Sequence, residues 1–268
     1  MKSKTFMRSI VVLSVAVVCL VPLYAETSQH AVAPSYSATT VVNSATYIAD
    51  ALAPGTIGTI FGNDLSYNTA IGLENVLNSV MPVTLGGVRV FVAGVAAPLY
   101  YVSPTQINFL IPGNLRPGEI DLFVAREGTA GPHVKITLYD AGPGLYQWDP
   151  GMIASVHGEG GPITSEKPAH GGEVVVVYGT GLGKTDPDVT SAQINLAPAQ
   201  IVQRAELRVL VDGIAVEPAR ILYAGATPGF PGLYQVNVML PAVIADDPEI
   251  RIAIGDSISP ADYRIPGR

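Results

Sequence analysis

The stretch "YGTGLGKT", Tyr178–Thr185, ends in the Gly-Lys-Thr of a nucleotide-binding loop. That chemistry needs a Gly five positions before the Gly-Lys-Thr and a helix N-terminus facing the phosphate. Here the first position is Tyr178, and the following "DPDVTSAQ" holds Pro187 and no helical period. The stretch therefore predicts a turn. Histidines are scarce: His30, His133, His157 and His170. "HGEG" places His157 and Glu159 two apart, as zinc deaminases do, but those enzymes add cysteine ligands. A metal shared by His157, His170 and Glu159 stands against a solvated loop. His-Glu-x-x-His, Gly-x-Ser-x-Gly and Ser-x-x-Lys are all missing, so zincin and serine-hydrolase chemistry has no carrier. Asp149, Glu159, Asp186 and Asp188 offer carboxylates, but no spacing selects a glycosidase pair. "TDPD" and "ADD" are oxygen-rich turns of a kind that can also hold calcium. The residues point to no catalytic, cofactor or metal site.

Aromatics carry the better binding chemistry. Tyr146 and Trp148 share a face if "GLYQW" is a strand, and Trp148 is the chain's one tryptophan. Such rings stack on sugars, grip a protein or bury a seam between domains. Phe230 stands in the Gly/Pro loop "ATPGFPG". Two amide pairs, Gln106-x-Asn108 and Gln235-x-Asn237, put both side chains on one strand face. They could form a polar strip. Their recurrence favours a structural duty, satisfying backbone groups of a neighbouring loop.

These residues sit on a sequence that repeats. Gly55, Gly62 and Leu65 of "GTIGTIFGNDL" recur 117 residues later as Gly172, Gly179 and Leu182 of "GEVVVVYGTGL". The apolar run to each aromatic reads as a strand, with Gly62 and Gly179 as corners. "LGGVRVFVAGVAAPLYYVSPTQINFLIP" then echoes "LRVLVDGIAVEPARILYAGATPGFPGLYQVNVMLP", each with a Gly turn, Gly94 or Gly213. The second copy is longer at Ala224–Gly232, the first candidate for a specific role. "EIDLFVA" and "HVKITLY" predict a hairpin, and "EIRIAIGD" its counterpart. The expected fold is all-β, two tandem immunoglobulin-like sandwiches over 43–140 and 172–268. Residues 26–42 read as a flexible lead-in. Residues 141–171 read as a Gly/Pro-rich connector packing on the second domain.

Composition narrows the function classes. The order of "MKSKTFMRS", a short apolar run and "YAETS" is that of a secretory signal over residues 1–25. An uncleaved anchor is the other reading, because Leu23 is large for its place before a cut after Ala25. The run is short for a membrane span. The single cysteine, Cys19, lies inside that segment, so the mature chain has no thiol chemistry. It keeps 12 Lys and Arg against 22 Asp and Glu, a net charge of −10. Such a surface repels phosphate backbones, which argues against nucleic acid.

The quoted motifs resemble the uncharacterised C-terminal domain family of secreted acidobacterial (Solibacter-type) proteins. Each half is also similar, more loosely, to the TIG/IPT immunoglobulin-like module. The resemblance covers about Asn43 to about Ser257 and implies paired sandwiches outside the cytoplasm. It implies no reaction, because that family has no established activity. TIG-like modules serve as receptor pieces, spacers in secreted carbohydrate enzymes and halves of transcription factors; the acidic charge disfavours the last. Members usually trail longer proteins, whereas here little precedes the module. The expectation is a secreted, periplasmic or surface-held, non-catalytic binding, adhesion or spacer module. Its partner would be a surface protein or a polysaccharide. The rival is a carbohydrate-binding module using Tyr146 and Trp148, and a third is a secreted hydrolase.

Overall fold

A computed structural model describes residues 32–188 and 192–268; the secretory-signal reading, His30 and the start of the lead-in lie outside them. The described chain is all β, joined by short 3-10 turns, with no α-helix. The cause is visible in single strands. In Val88–Val92, Val88, Val90 and Val92 point inward and Arg89 outward. In Gln106–Leu110, Ile107 and Phe109 are buried between the half-buried Gln106 and Asn108. Period-2 alternation with β-branched residues is what a sheet with one wet face requires.

Each half stacks two antiparallel sheets. In the first half one sheet holds Val41–Asn43, Ile57–Phe61, Gln106–Leu110, Leu99–Val102 and Ala70–Ile71 in that order. The other holds Val134–Leu138, Gly118–Arg126, Val88–Val92 and Val95–Ala96. Ile60, Leu99 and Phe109 of one meet Val90, Leu122 and Val124 of the other in a single core. A second core gathers Val175, Val177, Val236, Val209 and Ile252.

The repeat in sequence is a repeat in register. Phe61 opposes Gln106 and Thr59 opposes Asn108; Tyr178 opposes Gln235 and Val176 opposes Asn237. A register shift between Leu99 and Tyr101 recurs between Ile221 and Tyr223. The corresponding two-residue hairpin loops Ala93-Gly94 and Asp212-Gly213 each have positive φ at both residues. That is the turn whose twist suits paired strands.

Two expectations change. Gly62 and Gly179 are not left-handed corners. Gly179 lies inside the strand Val174–Thr180. A Cβ there would stand 2.4 Å from Gly144 O, and one on Gly62 would stand 2.3 Å from Ser35 O. Both permit a backbone to lie against the strand end, at Ser35 opposite Asn63 and at Gly144 opposite Thr180. Residues 32–42 are also not a loose lead-in. Tyr36 accepts from Val124 N at 2.7 Å and donates to Pro132 O at 2.6 Å, and Val41–Asn43 is a strand of the sheet.

Candidate functional site

A seam joins the halves, and Val32–Arg268 forms one compact unit. Thr180 Oγ1 accepts from Ile57 N at 2.9 Å and donates to Gly232 O at 2.8 Å. Buried Asn43 donates through Nδ2 to Ala51 O at 2.9 Å and Gly142 O at 3.0 Å, and its Oδ1 accepts from Ala45 N at 2.9 Å. Ser44 and Tyr146 share a hydroxyl bond at 2.6 Å. Tyr100 donates to Pro231 O. These buried groups are paired as low-dielectric burial demands.

The seam absorbs most of the insert in the second copy. Ala224–Ala226 continues the strand Ile221–Ala226. The loop beyond it presses Gly232 against Leu110 and Ile57. Phe230 remains 45% exposed, beside Gly229, whose N–H donates to Asn195 O at 2.8 Å.

Four phenols, Tyr100 and Tyr146 at the seam and Tyr36 and Tyr234 within the halves, carry a pH dependence. Burial pushes Tyr146 up to about 12, and burial with Asp121 nearby does the same to Tyr36. Burial pushes Tyr100 and Tyr234 up as well. The unfolded chain thus releases these protons first, near the ordinary phenol value of about 10. Their contribution to stability is complete below that pH and is lost as pH rises towards about 12. The unfolding midpoint should fall across this window, and less steeply in Tyr146→Phe. A flat midpoint there would contradict the burial of these hydroxyls.

Tyr146 and Trp148 do not form one platform. The register shifts between Gln147 and Asp149, so a bulge breaks the alternation that would align the rings. Tyr146 enters the seam, while Trp148 is 61% exposed. Trp148 rises on a small hairpin, Gln147–Asp149 with Met152–Ile153. The C-terminal tail props it: Ile153 N donates to Arg264 O and Arg264 N to Gly151 O, both at 2.8 Å. Beside Trp148 runs a groove of about 400 Å³. Its floor is Ile153 and Ile163, both buried. Met152, Pro162 and Pro266 extend the apolar wall, and Asp149, Thr164 and Ser165 stand at the exposed rim. Connector and tail build it together.

A larger cavity of about 1020 Å³ lies at the other end of the connector, lined by His157, Lys167, His170 and Glu173 among others. His157 Nδ1 pairs with Glu173 rather than with Glu159. The second oxygen of Glu173 accepts from His170 N at 2.9 Å. These groups tie the connector to the strand that follows it. Among the described residues no three such side chains group to hold a metal. Asp247 Oδ1 caps Gly267 N at 3.1 Å. Asp149, Glu159, Asp186 and Asp188 are all exposed. The amide pairs bond within themselves: Gln106 Nε2 to Asn108 Oδ1 at 2.8 Å and Gln235 Nε2 to Asn237 Oδ1 at 3.1 Å. Thr59 Oγ1 adds a bond to Asn108 Oδ1 at 3.1 Å. The expected bonds to loop backbone are thus replaced by bonds along the sheet face. "GTGLG" runs off the strand through Gly181 and Gly183, and Gly183 O accepts from buried Tyr234 at 2.5 Å.

No family model and no curated protein matches the chain. Among solved structures it is similar to a surface glycan-binding protein of Prevotella bryantii, PbSGBP-B. Identity is 10%, TM-score 0.28, with 85% of this chain and 42% of that one covered. It is similar to SGBP-B of a Bacteroides ovatus mixed-linkage glucan utilization locus, in complex with a mixed-linkage heptasaccharide. There identity is 11%, TM-score 0.29 and coverage 81% and 43%. The extracellular region of plexin A4 follows at 13% identity and TM-score 0.25, covering 82% and 17%. The chain spans under half the length of each of these structures. Likenesses this distant carry no functional argument. No helix among the described residues is long and apolar enough to cross a membrane.

Proposed function

We propose that the protein is a non-catalytic, exported binding module that holds a polysaccharide against Trp148. One observation carries this reading: the single tryptophan is exposed on a braced hairpin, over a groove with an apolar floor and a hydroxyl- and carboxylate-bearing rim. Aromatic walls with a few polar groups suit a sugar, which has an apolar face and a hydroxyl edge.

Soluble glycans should quench or shift Trp148 emission. Trp148→Ala should weaken binding by about 2 kcal/mol, roughly thirty-fold, as for a central aromatic anchor. Its unfolding free energy should stay within about 0.5 kcal/mol of the parent's, because an exposed ring contributes little to the fold. Emission unmoved by any of a broad glycan panel would remove the reading.

A second reading, adhesion to a surface protein, draws on another face. Leu77 is 73% and Leu196 77% exposed. Bridges from Leu77 to Val80 and from Val80 to Gln193, with the bond from Gly229 N to Asn195 O, place them in one loop cluster with Phe230. Leu196→Ser would weaken protein adhesion and leave glycan quenching intact.

A further inference from the structure

We infer that the Trp148 groove selects uncharged glycan chains and rejects anionic ones; the inference rests on the polysaccharide reading above. The groove lining contains one ionisable side chain, Asp149, and no Lys, Arg or His. A uronate or sulfate ester bound against Trp148 would bring a second negative charge beside Asp149 with no cation to offset it. The whole chain adds to that repulsion, since its formal net charge is −7.

A neutral pyranose meets none of these costs. Its apolar C–H face matches Trp148, Met152 and Pro266, and its hydroxyls reach Asp149, Thr164 and Ser165, of which the carboxylate is the stronger acceptor. Lys167 and Arg268 line the larger cavity instead, and Arg264, whose backbone braces the hairpin, donates through its guanidinium to Asp247 O at 2.9 Å. An anionic polymer that binds through Lys167 and Arg268 would leave Trp148 emission unchanged.

The test uses the mature chain, a neutral β-glucan and a galactomannan against polygalacturonate and alginate, read by affinity electrophoresis and Trp148 emission at low and high salt. The expected result is binding of a neutral polymer with little salt dependence, at least about tenfold tighter than either polyanion at low salt. Asp149→Asn should narrow that gap. Polyanions that quench Trp148 as strongly as neutral polymers would overturn the inference while leaving the polysaccharide reading in place. Emission unmoved by all four polymers would end both.

Discussion

Gly181→Ala is expected to lower unfolding stability by roughly 3–5 kcal/mol, or to abolish soluble expression. Gly181 has φ +77, a region an L side chain enters at a cost. Its added Cβ would also stand 2.1 Å from Gly142 O, a backbone atom that no rotamer change can move. Gly142 is held from two sides. Its N–H donates to Gly181 O at 2.8 Å, and its carbonyl accepts from buried Asn43. A shift of Gly142 therefore disrupts the polar knot that ties the halves together. Gly172→Ala is the matched control: it has φ +79 and nothing within 4 Å of the added Cβ. That change should cost only about 1 kcal/mol. Urea unfolding of the two variants separates the cost of the dihedral from the cost of close approach. Equal losses would show that the seam yields easily. The same pair tests why "GTGLG" is glycine-rich at all, since Gly181 is required by a crossing chain and not by a phosphate.

Arg126→Ala should cost a similar amount, roughly 3–5 kcal/mol. Arg126 is the largest fully buried side chain among the described residues. Its two terminal nitrogens donate to Asp64 O and Val32 O. Its guanidinium lies 3.9 Å from the centre of the Tyr67 ring. Nε finds no acceptor. A cation held by two carbonyls and a ring is desolvated at a cost, so its removal leaves a cavity at a fully buried position and two carbonyls without their donor. Arg126→Met should fall between parent and alanine, since it restores packing without the bonds. Arg126→Lys should rescue little, because an ammonium cannot span two carbonyls as a planar fork does. Freed from Arg126, the pairing of Ser35 with Asn63 should lose protection, which hydrogen exchange at Asn63 reads directly. A methionine variant as stable as the parent would show that the bonds contribute nothing net.

Arg126 was within reach of the sequence. Leu122 and Val124 face the core, and period 2 puts Arg126 on that same side. A cation at a core position is a signal, though its partners are not: Val32 lies 94 residues away along the chain. Trp148 was equally visible as the single tryptophan, but its direction was not. One extra residue in a short hairpin reverses a face, and no pattern in "GLYQWDPGMI" announces the bulge. Glu173 was missed as the partner of His157 because Glu159 is nearer in sequence, whereas folding brings the strand start to the histidine. In Gly62 and Gly179 the residue type was informative and its cause was not. A glycine needed for close approach and a glycine needed for positive φ are the same letter.

Local pattern was enough for the strands, their inward faces, the hairpin turns at Gly94 and Gly213 and the copied register, because each depends on period-2 alternation and turn chemistry within a few residues. The seam and the Trp148 groove depended on the tertiary structure. Asn43 with Gly142, Thr180 with Ile57 and Trp148 with Pro266 are brought together by how whole sheets and a C-terminal tail pack. Such long-range contacts follow from buried shape and paired polar groups, which no local stretch of sequence encodes.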